Sequence, residues 1–164
     1  MNLNLGCGSA RYEEDTINLD IIDCFMTDVD ILATAKKIPF KDESFEKVFF
    51  FQTLEHIERN WHGRVFDEIW RILKKQGMLL LTSIDAVEVM QRFIDNKYGR
   101  RWEWYNRMLF GRQLYGGDYH VTAIERHDLT DRLLSAGFID IDFRLNQVDI
   151  IVKTIKGEKM PEYI

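Results

Sequence analysis

Short apolar runs divided by polar turns recur along the chain. Leu3–Leu5 stops at a Gly-Cys-Gly turn, and Thr16–Ile21 is rich in β-branched residues, so both runs predict strands. Lys47–Gln52 is apolar on both faces, which is typical of a central parallel strand. The remaining predicted strands are Asp28–Leu32, Met78–Ser83 and a terminal antiparallel hairpin of Phe138–Leu145 with Val148–Ile155.

A helical period appears in two longer stretches. Apolar side chains recur at spacings of three and four residues over 65–73, with Asn60 as the expected N-cap and Lys74 and Lys75 in the last turn. Arg126–Ala136 predicts a second helix, which the following glycine closes. Strands that alternate with helices predict an α/β fold, with a mostly parallel sheet and helices on both faces.

Composition narrows the class of protein. Of the 164 residues, 46% are hydrophobic, which supports one core in a single domain of residues 1–164. The apolar runs are strand-sized, so no membrane span is expected, and the net charge of −5 argues against broad binding to nucleic acid. No signal peptide opens the sequence, and Cys7 and Cys24 make no disulfide framework, so a cytoplasmic location is expected.

Ligands of parallel sheets bind at the carboxyl ends of the strands. The predicted strand ends place the candidate site at Gly6–Ser9, Asp20–Ile21, Leu32–Ala35, Gln52–His56 and Ser83–Asp85. Gly6 and Gly8 allow a sharp turn and leave room for a ligand because they lack a Cβ. Asp20 ends the next strand, where its carboxylate could accept hydrogen bonds from both hydroxyls of an adenosine ribose. An ordinary tight turn and a surface aspartate are the alternatives.

The glycine turn departs from a dinucleotide site. Arg11 stands where the third glycine of G-x-G-x-x-G belongs, and the segment 6–15 is too short for a helix with its turns. Glu13, Glu14 and Asp15 would repel a pyrophosphate. S-adenosylmethionine carries a sulfonium cation and no phosphate, so the acidic segment favours it over a nicotinamide dinucleotide.

Four sequence blocks follow one another in a specific order: LNLGCG at Leu3–Gly8, INLDI at Ile17–Ile21, KKIPFKDESFEKVFFFQTLEHI at Lys36–Ile57 and RILKKQGMLLLTS at Arg71–Ser83. They resemble the class I S-adenosylmethionine-dependent methyltransferases of the type 11 group, which implies a Rossmann-like sheet. LYGGDYH at Leu114–His120 and LLSAGF at Leu133–Phe138 resemble the C-terminal part of small methyltransferases associated with polysaccharide modification.

The resemblance implies roles for individual residues. The Gly6–Gly8 turn corresponds to the motif that contacts the methionine moiety, Asp20 to the ribose-binding acid and Ile21 to the apolar residue on adenine. Thr34 stands where related proteins often carry an aspartate for the adenine amine, so its hydroxyl or the backbone nearby is expected there. The residues expected to contact the cofactor are Gly6, Cys7, Gly8, Ser9, Asp20, Ile21, Leu32, Ala33, Thr34, Gln52, Thr53, Leu54 and His56.

The acceptor side offers fewer signals. Asp118 and His120 follow a double glycine and are the expected catalytic residues, as a proton acceptor and its partner; a surface turn with an incidental histidine is the alternative. His56 is interpreted as a base or as a residue that caps and packs at a helix start, and Cys7 as a packing residue rather than a nucleophile. The histidines at positions 56, 62, 120 and 127 lack a compact metal-ligand spacing, so no metal is expected.

The segment Lys97–Gly117 is basic and aromatic in an otherwise acidic chain. Its basic residues are Lys97, Arg100, Arg101, Arg107 and Arg112, set against one acid, Glu103. Its aromatic residues are Tyr98, Trp102, Trp104, Tyr105, Phe110 and Tyr115. The combination predicts a lid over an anionic or sugar-bearing substrate, with a homodimer interface and a helix packed on the sheet as alternatives.

Together these features predict transfer of a methyl group from S-adenosylmethionine, with S-adenosylhomocysteine as product. The expected acceptor is a small molecule or a glycan, methylated at oxygen. The cofactor supplies the electrophile, so the protein mainly aligns the nucleophile and excludes water. A non-catalytic subunit that binds S-adenosylmethionine within a larger complex is the alternative, because the chain is short and no catalytic base is certain.

Overall fold

The computed structural model of the protein describes residues 1–8, 15–22, 29–97, 99 and 101–158. Within these residues, seven strands form one sheet: β1 Asn2–Leu5, β2 Thr16–Asp20, β3 Ile31–Leu32, β4 Phe45–Phe51, β5 Leu73–Ile84, β6 Phe138–Asn146 and β7 Asp149–Lys156. The α-helices in the same part of the chain are α1 His62–Ile72, α2 Ala86–Ile94, α3 Trp102–Phe110 and α4 Arg126–Ser135.

The strands run in the order β3-β2-β1-β4-β5-β7-β6. The first five are parallel, whereas β7 runs antiparallel to both β5 and β6, which confirms the predicted terminal hairpin. Because β1 pairs with β2 on one side and with β4 on the other, the winding of the chain reverses at β1. A reversal of this kind opens a crevice at the carboxyl ends of the two central strands.

Helices pack on both faces of the sheet, as predicted. Leu79 and Leu81 of β5 belong to the main core, which also contains buried side chains of α1 and α4. Ile84 lies an odd number of residues further along and so points to the opposite face. There it packs with Val89 of α2 and Tyr105 of α3 in a second apolar cluster.

Three details at the ends of α1 and β3 differ from the sequence prediction. Asn60 is not the N-cap of α1, because it lies in a preceding 3-10 turn and α1 begins at His62 without a side-chain cap. Lys74 and Lys75 are not in a last helical turn, because the fully buried Leu73 already pairs with β4 and starts β5. The third strand is limited to Ile31–Leu32, and residue 28 lies outside the described residues.

Helix α2 was not predicted, although its first turn carries a clear signal. The Asp85 carboxylate accepts hydrogen bonds from the amides of Val87 and Glu88, at 3.0 and 3.2 Å, and caps the helix. Arg126 donates a hydrogen bond of 2.8 Å to the same carboxylate and links α2 to the start of α4. In the part of the chain that the structure describes, no helix is long and apolar enough to cross a membrane.

Candidate functional site

A cavity of about 320 Å³ opens at the carboxyl ends of β1, β2 and β4, where the winding reverses. Nine of the residues expected to contact a cofactor line it: Gly6, Gly8, Asp20, Ile21, Ala33, Thr34, Gln52, Thr53 and His56. Three others do not: Cys7 and Leu54 are buried, and Leu32 is exposed on the edge strand. The remaining one, at position 9, lies outside the described residues. The lining residues to which the sequence assigned no role include Ile22, Lys36 and Glu58, while Tyr115 and Gly117 belong to the segment predicted as a lid.

The turn after β1 depends on the absence of a side chain at Gly6. This residue has a φ of +68°, and a Cβ there would collide with the side chain of Thr53. The Gly6 amide donates a hydrogen bond of 2.8 Å to the Leu19 carbonyl, while the Thr53 hydroxyl lies 2.8 Å from the Phe51 carbonyl oxygen. The ends of β1 and β4 therefore approach each other closely at the floor of the cavity.

Asp20 is held in a fixed orientation at the end of β2. Its Oδ2 accepts a hydrogen bond of 2.8 Å from the Gly8 amide, and its Oδ1 accepts one of 3.1 Å from the Ile22 amide. Each carboxylate oxygen has a second lone pair, so both remain able to accept a hydrogen bond from a ligand. Ile21 is 68% exposed beside it and lines the same cavity.

The wall beyond β3 is built around Thr34. Its hydroxyl accepts a hydrogen bond of 3.2 Å from the Lys36 amide and still has its own proton to donate. The Lys36 ammonium lies 2.7 Å from a Glu58 carboxylate oxygen and 4.8 Å from the centre of the Trp61 ring. Lys36 and Glu58 both line the cavity, so this wall carries a paired charge rather than a free one.

Gln52 leaves β4 in a left-handed conformation, with a φ of +47°. Its amide donates a hydrogen bond of 2.8 Å to the Thr82 carbonyl, and its side-chain nitrogen lies 3.3 Å from an Asp149 carboxylate oxygen. Burial raises the pKa of Asp149. A non-glycine residue with positive φ beside a cavity is a feature that functional sites often contain.

A histidine that lines the cavity, His56, contacts a second histidine, His120. His56 lines the cavity, and its ring centre lies 4.9 Å from that of His120 in an edge-to-face arrangement. Nδ1 of His56 lies 2.9 Å from the Tyr119 carbonyl oxygen, and Nδ1 of His120 lies 3.0 Å from the Met108 carbonyl oxygen. A carbonyl can only accept, so each Nδ1 carries a proton, and in the neutral form of each ring Nε2 carries the lone pair. Burial and the nearby His56 lower the pKa of His120.

Glu55 lies beneath the histidine pair and is buried. Its Oε2 accepts a hydrogen bond of 2.8 Å from the Ser83 hydroxyl, and burial raises its pKa to about 7. Its backbone carbonyl accepts hydrogen bonds from Val121 and Thr122, at 2.9 and 3.2 Å, which holds the loop that carries His120. Glu55 lies within the predicted site segment Gln52–His56, but neither a role for its side chain nor its position beside both histidines was predicted from sequence.

Asp118 is not among the residues that line the cavity. Its carboxylate is buried, accepts a hydrogen bond of 3.2 Å from the Leu114 amide and lies 3.5 Å from Arg112 Nε. The neighbouring loop requires Gly111, which has a φ of +80° and whose Cβ would collide with the Asp118 carbonyl. Asp118 thus shapes the loop, and His120 reaches the cavity edge through its contact with His56.

The basic and aromatic segment contributes its C-terminal end to the cavity. Tyr115 and Gly117 line the cavity, whereas Tyr105 is buried and its hydroxyl donates a hydrogen bond of 3.0 Å to the Arg92 carbonyl. The segment therefore combines a packed helix, α3, with a loop at the cavity. Residues 98 and 100, which carry two of the predicted lid side chains, lie outside the described residues.

Comparisons with known proteins agree with this geometry. Residues 3–81 match the family described as "Methyltransferase domain". An uncharacterized protein of Methanocaldococcus jannaschii is 27% identical over 106 residues, which cover 58% of this chain and 46% of that relative. This chain thus spans less than half the length of that relative.

Solved structures extend the similarity to nearly the whole chain. A methyltransferase of Methanosarcina mazei, described as S-adenosylmethionine-dependent, has a TM-score of 0.67 at 15% identity and covers 96% of this chain and 92% of its own. The 1,6-didemethyltoxoflavin-N1-methyltransferase of Burkholderia thailandensis, solved with its acceptor and S-adenosylhomocysteine, has a TM-score of 0.62 at 10% identity and covers 96% and 71%. Residues 3–81, just under half of the chain, are thus similar to the methyltransferase domain family, and the chain as a whole shares the fold of solved S-adenosylmethionine-dependent methyltransferases.

Proposed function

We propose that this protein transfers the methyl group of S-adenosylmethionine to a hydroxyl oxygen of a small-molecule or glycan-type acceptor. The observation that carries the proposal is the position of Asp20 and His56 on one cavity: the acid is tied to the glycine turn, and the histidine lies toward the loop of Tyr115. The residue proposed to bind the cofactor and the residue proposed to face the acceptor therefore line the same cavity.

The cofactor would lie along the ends of β1 and β2. The Gly6–Gly8 turn is proposed to face the methionine moiety, since Gly6 and Gly8 both line the cavity. Asp20 is proposed to accept hydrogen bonds from the two ribose hydroxyls, because both of its oxygens keep a free lone pair. Ile21 and the Thr34 hydroxyl are proposed to contact adenine, one through its apolar side chain and the other as a donor.

When bound, S-adenosylmethionine supplies an electrophilic methyl carbon and leaves as S-adenosylhomocysteine. The protein's part is to hold the acceptor oxygen in line with the methyl carbon and the sulfur, and such alignment contributes roughly 7–11 kcal/mol to lowering the barrier. The acceptor hydroxyl loses a proton as its oxygen forms the new bond. We assign this proton to Nε2 of His56, which carries the lone pair in the neutral ring because Nδ1 donates its proton to the Tyr119 carbonyl.

The acceptor is proposed to enter beside Tyr115 and Gly117. Tyr115 is about half exposed and lines the cavity, so its ring offers an apolar face with a polar tip, as suits a sugar or a small ring. Arg112 is half exposed next to the Asp118 carboxylate and sits on the same loop. An anionic group on the acceptor would meet a cation there. The solved Burkholderia methyltransferase, which holds a small heterocyclic acceptor, supports the small-molecule class.

The test has two parts on the isolated chain. Calorimetric titration with S-adenosylhomocysteine is expected to show one site per chain, and a nicotinamide dinucleotide is expected not to bind. A methyl-release assay against a panel of hydroxylated small molecules and oligosaccharides is then expected to show turnover. Methyl transfer by the chain alone excludes the hypothesis of a non-catalytic subunit. That hypothesis would be favoured if the chain binds S-adenosylhomocysteine but methylates no acceptor, even with candidate partners present.

A further inference from the structure

The fold brings together three metal-ligating side chains, of which two are adjacent in the sequence and the third lies far along the chain. One ligand atom from each of Glu55, His56 and His120 lies within 4.8 Å of the other two. We propose that these three side chains bind one divalent transition-metal ion of the zinc type at the acceptor end of the cavity. The proposal departs from the expectation drawn from histidine spacing alone, which left Glu55 out.

Glu55 supplies the first argument, because one of its carboxylate oxygens is buried without a partner. The side chain is 2% exposed, and within the described residues its Oε1 has no hydrogen-bond partner, while Oε2 is bonded to Ser83. An unpaired polar atom inside a protein is costly, and a charged one more so. A cation bound at Oε1 would remove that cost while the Ser83 hydroxyl holds the carboxylate in place.

The histidines supply the second argument. Each donates its Nδ1 proton to a backbone carbonyl, Tyr119 for His56 and Met108 for His120. Metal-binding histidines commonly use the second ring nitrogen in this way, which fixes the tautomer and directs Nε2 to the ion. Across the described part of the chain, no hydrogen bond occupies Nε2 of either ring. Both Nε2 atoms are thus available as ligands.

The ligand set selects the class of ion. Two imidazoles with one carboxylate suit zinc and similar first-row ions, whereas calcium and magnesium prefer sites made wholly of oxygen ligands. In a tetrahedral site with bonds of roughly 2.0–2.2 Å, two ligand atoms lie about 3.3–3.6 Å apart. The three groups lie within 4.8 Å of one another, so binding requires them to close by up to about 1.5 Å. Three protein ligands also leave a coordination position open, as in catalytic zinc sites.

The use of that open position rests on the proposed function. His56 lines the cavity, so the open position is on the acceptor side. An acceptor hydroxyl bound to the ion has a lower pKa and releases its proton to water, and the oxygen keeps the electron pair that forms the new bond to carbon. In the ion-bound protein the ion therefore takes over the task assigned above to the lone pair of His56.

The experiment measures ion binding directly. Tag-free protein is stripped with a chelator and titrated with Zn²⁺ by calorimetry, and Co²⁺ is added to a second sample to record its visible spectrum. We expect one ion per chain and Co²⁺ bands typical of a four- or five-coordinate site. His120→Ala and Glu55→Gln are each expected to weaken Zn²⁺ binding by at least about 100-fold, since loss of an outer-shell partner alone costs 10–100-fold. Ser83→Ala, which removes the partner of the Glu55 carboxylate, is expected to weaken Zn²⁺ binding by this smaller factor of roughly 10–100.

His127→Ala is the matched control, because His127 is exposed and bonds Glu125 away from the cluster. It is expected to bind Zn²⁺ as the wild type does, and thermal melts show that each variant is folded. No Zn²⁺ binding by the wild type, or unchanged binding in folded His120→Ala, would overturn the proposal. Titration of the same samples with S-adenosylhomocysteine separates the two proposals, since a failed metal site leaves cofactor binding intact.

Discussion

The Gly8 amide donates a 2.8 Å hydrogen bond to Oδ2 of Asp20, so the turn after β1 and the acid at the end of β2 form one unit. Glycine supplies the turn, and the carboxylate both fixes that turn and faces the cavity. The two features that the sequence suggested separately are therefore coupled, and a change at one is expected to disturb the other.

Replacing Asp20 with Ala is expected to weaken S-adenosylhomocysteine binding by roughly 10- to 100-fold, because hydrogen bonds to a charged group contribute about 1.5–3 kcal/mol. Asp20→Asn keeps one acceptor oxygen and is expected to bind with intermediate affinity. Calorimetric titration measures both. Asp95→Ala is the control, since Asp95 is exposed at the end of α2, where it accepts a hydrogen bond from Gln91. Wild-type affinity in Asp20→Ala would remove the basis of the cofactor assignment.

Gly6→Ala is expected to destabilise the protein by about 2–4 kcal/mol, since overpacking costs 1–3 kcal/mol and positive φ adds about 1 kcal/mol. The new methyl group would collide with the Thr53 side chain. Gly63→Ala offers a matched comparison, because Gly63 lies in α1 with open space around its Cβ position and is expected to gain stability. Urea unfolding of the two variants checks the contrast. Equal free energies of unfolding for Gly6→Ala and Gly63→Ala would show that the close approach of β1 to β4 does not contribute to stability.

The N-terminus of α4 gives a prediction on pH. Glu125 accepts hydrogen bonds from the amides of His127 and Asp128, which lowers its pKa from 4.5 to about 2. A carboxylate with a lower pKa in the folded state stabilises the fold above its unfolded value. This contribution is expected to be complete above pH 4.5 and to be lost as the pH falls toward 2.

The measurement compares the free energies of unfolding of the wild type and Glu125→Ala between pH 2 and 7. Removing a cap costs about 1 kcal/mol at neutral pH, and this difference is expected to shrink as the pH falls below 4.5. Asp131→Ala, on an exposed position of the same helix, is expected to show no such cap effect. A difference that stays constant over the whole range would contradict the assignment of this carboxylate as a charged cap.

Local periodicity explains what the sequence predicted correctly. Leu79 and Leu81 lie two residues apart on one face of β5, and the apolar side chains of α1 pack in the same core. These local spacings were sufficient to predict a strand and a helix. The predicted ends of helices and strands were wrong where pairing with a distant part of the chain decides them. Leu73 begins β5 rather than ending α1 because it pairs with Phe45, a residue 28 positions earlier, and no local pattern encodes that contact.

The cofactor side of the site was largely predictable and the acceptor side was not. Gly6, Asp20 and Thr53 sit at strand ends, and parallel topology brings strand ends together. His120 reaches His56 only because the loop amides of Val121 and Thr122 bond the Glu55 carbonyl. Such a loop position follows from tertiary contacts, so spacing along the chain could not reveal the cluster.

The loop at Tyr115 distinguishes a substrate-facing segment from a purely structural one. Because its ring lines the cavity, Tyr115→Ala is expected to raise the KM for the acceptor about tenfold, with little change in S-adenosylhomocysteine affinity, in line with an aromatic contact of roughly 1–3 kcal/mol. Tyr119→Ala removes a similarly exposed ring on the same loop that does not line the cavity, and its KM is expected to stay near the wild-type value. Steady-state kinetics with the acceptor found in the panel, together with calorimetry, provide the two readouts. If both variants lose cofactor affinity equally while the acceptor KM is unchanged, the loop supports the fold of the cavity and does not contact the acceptor.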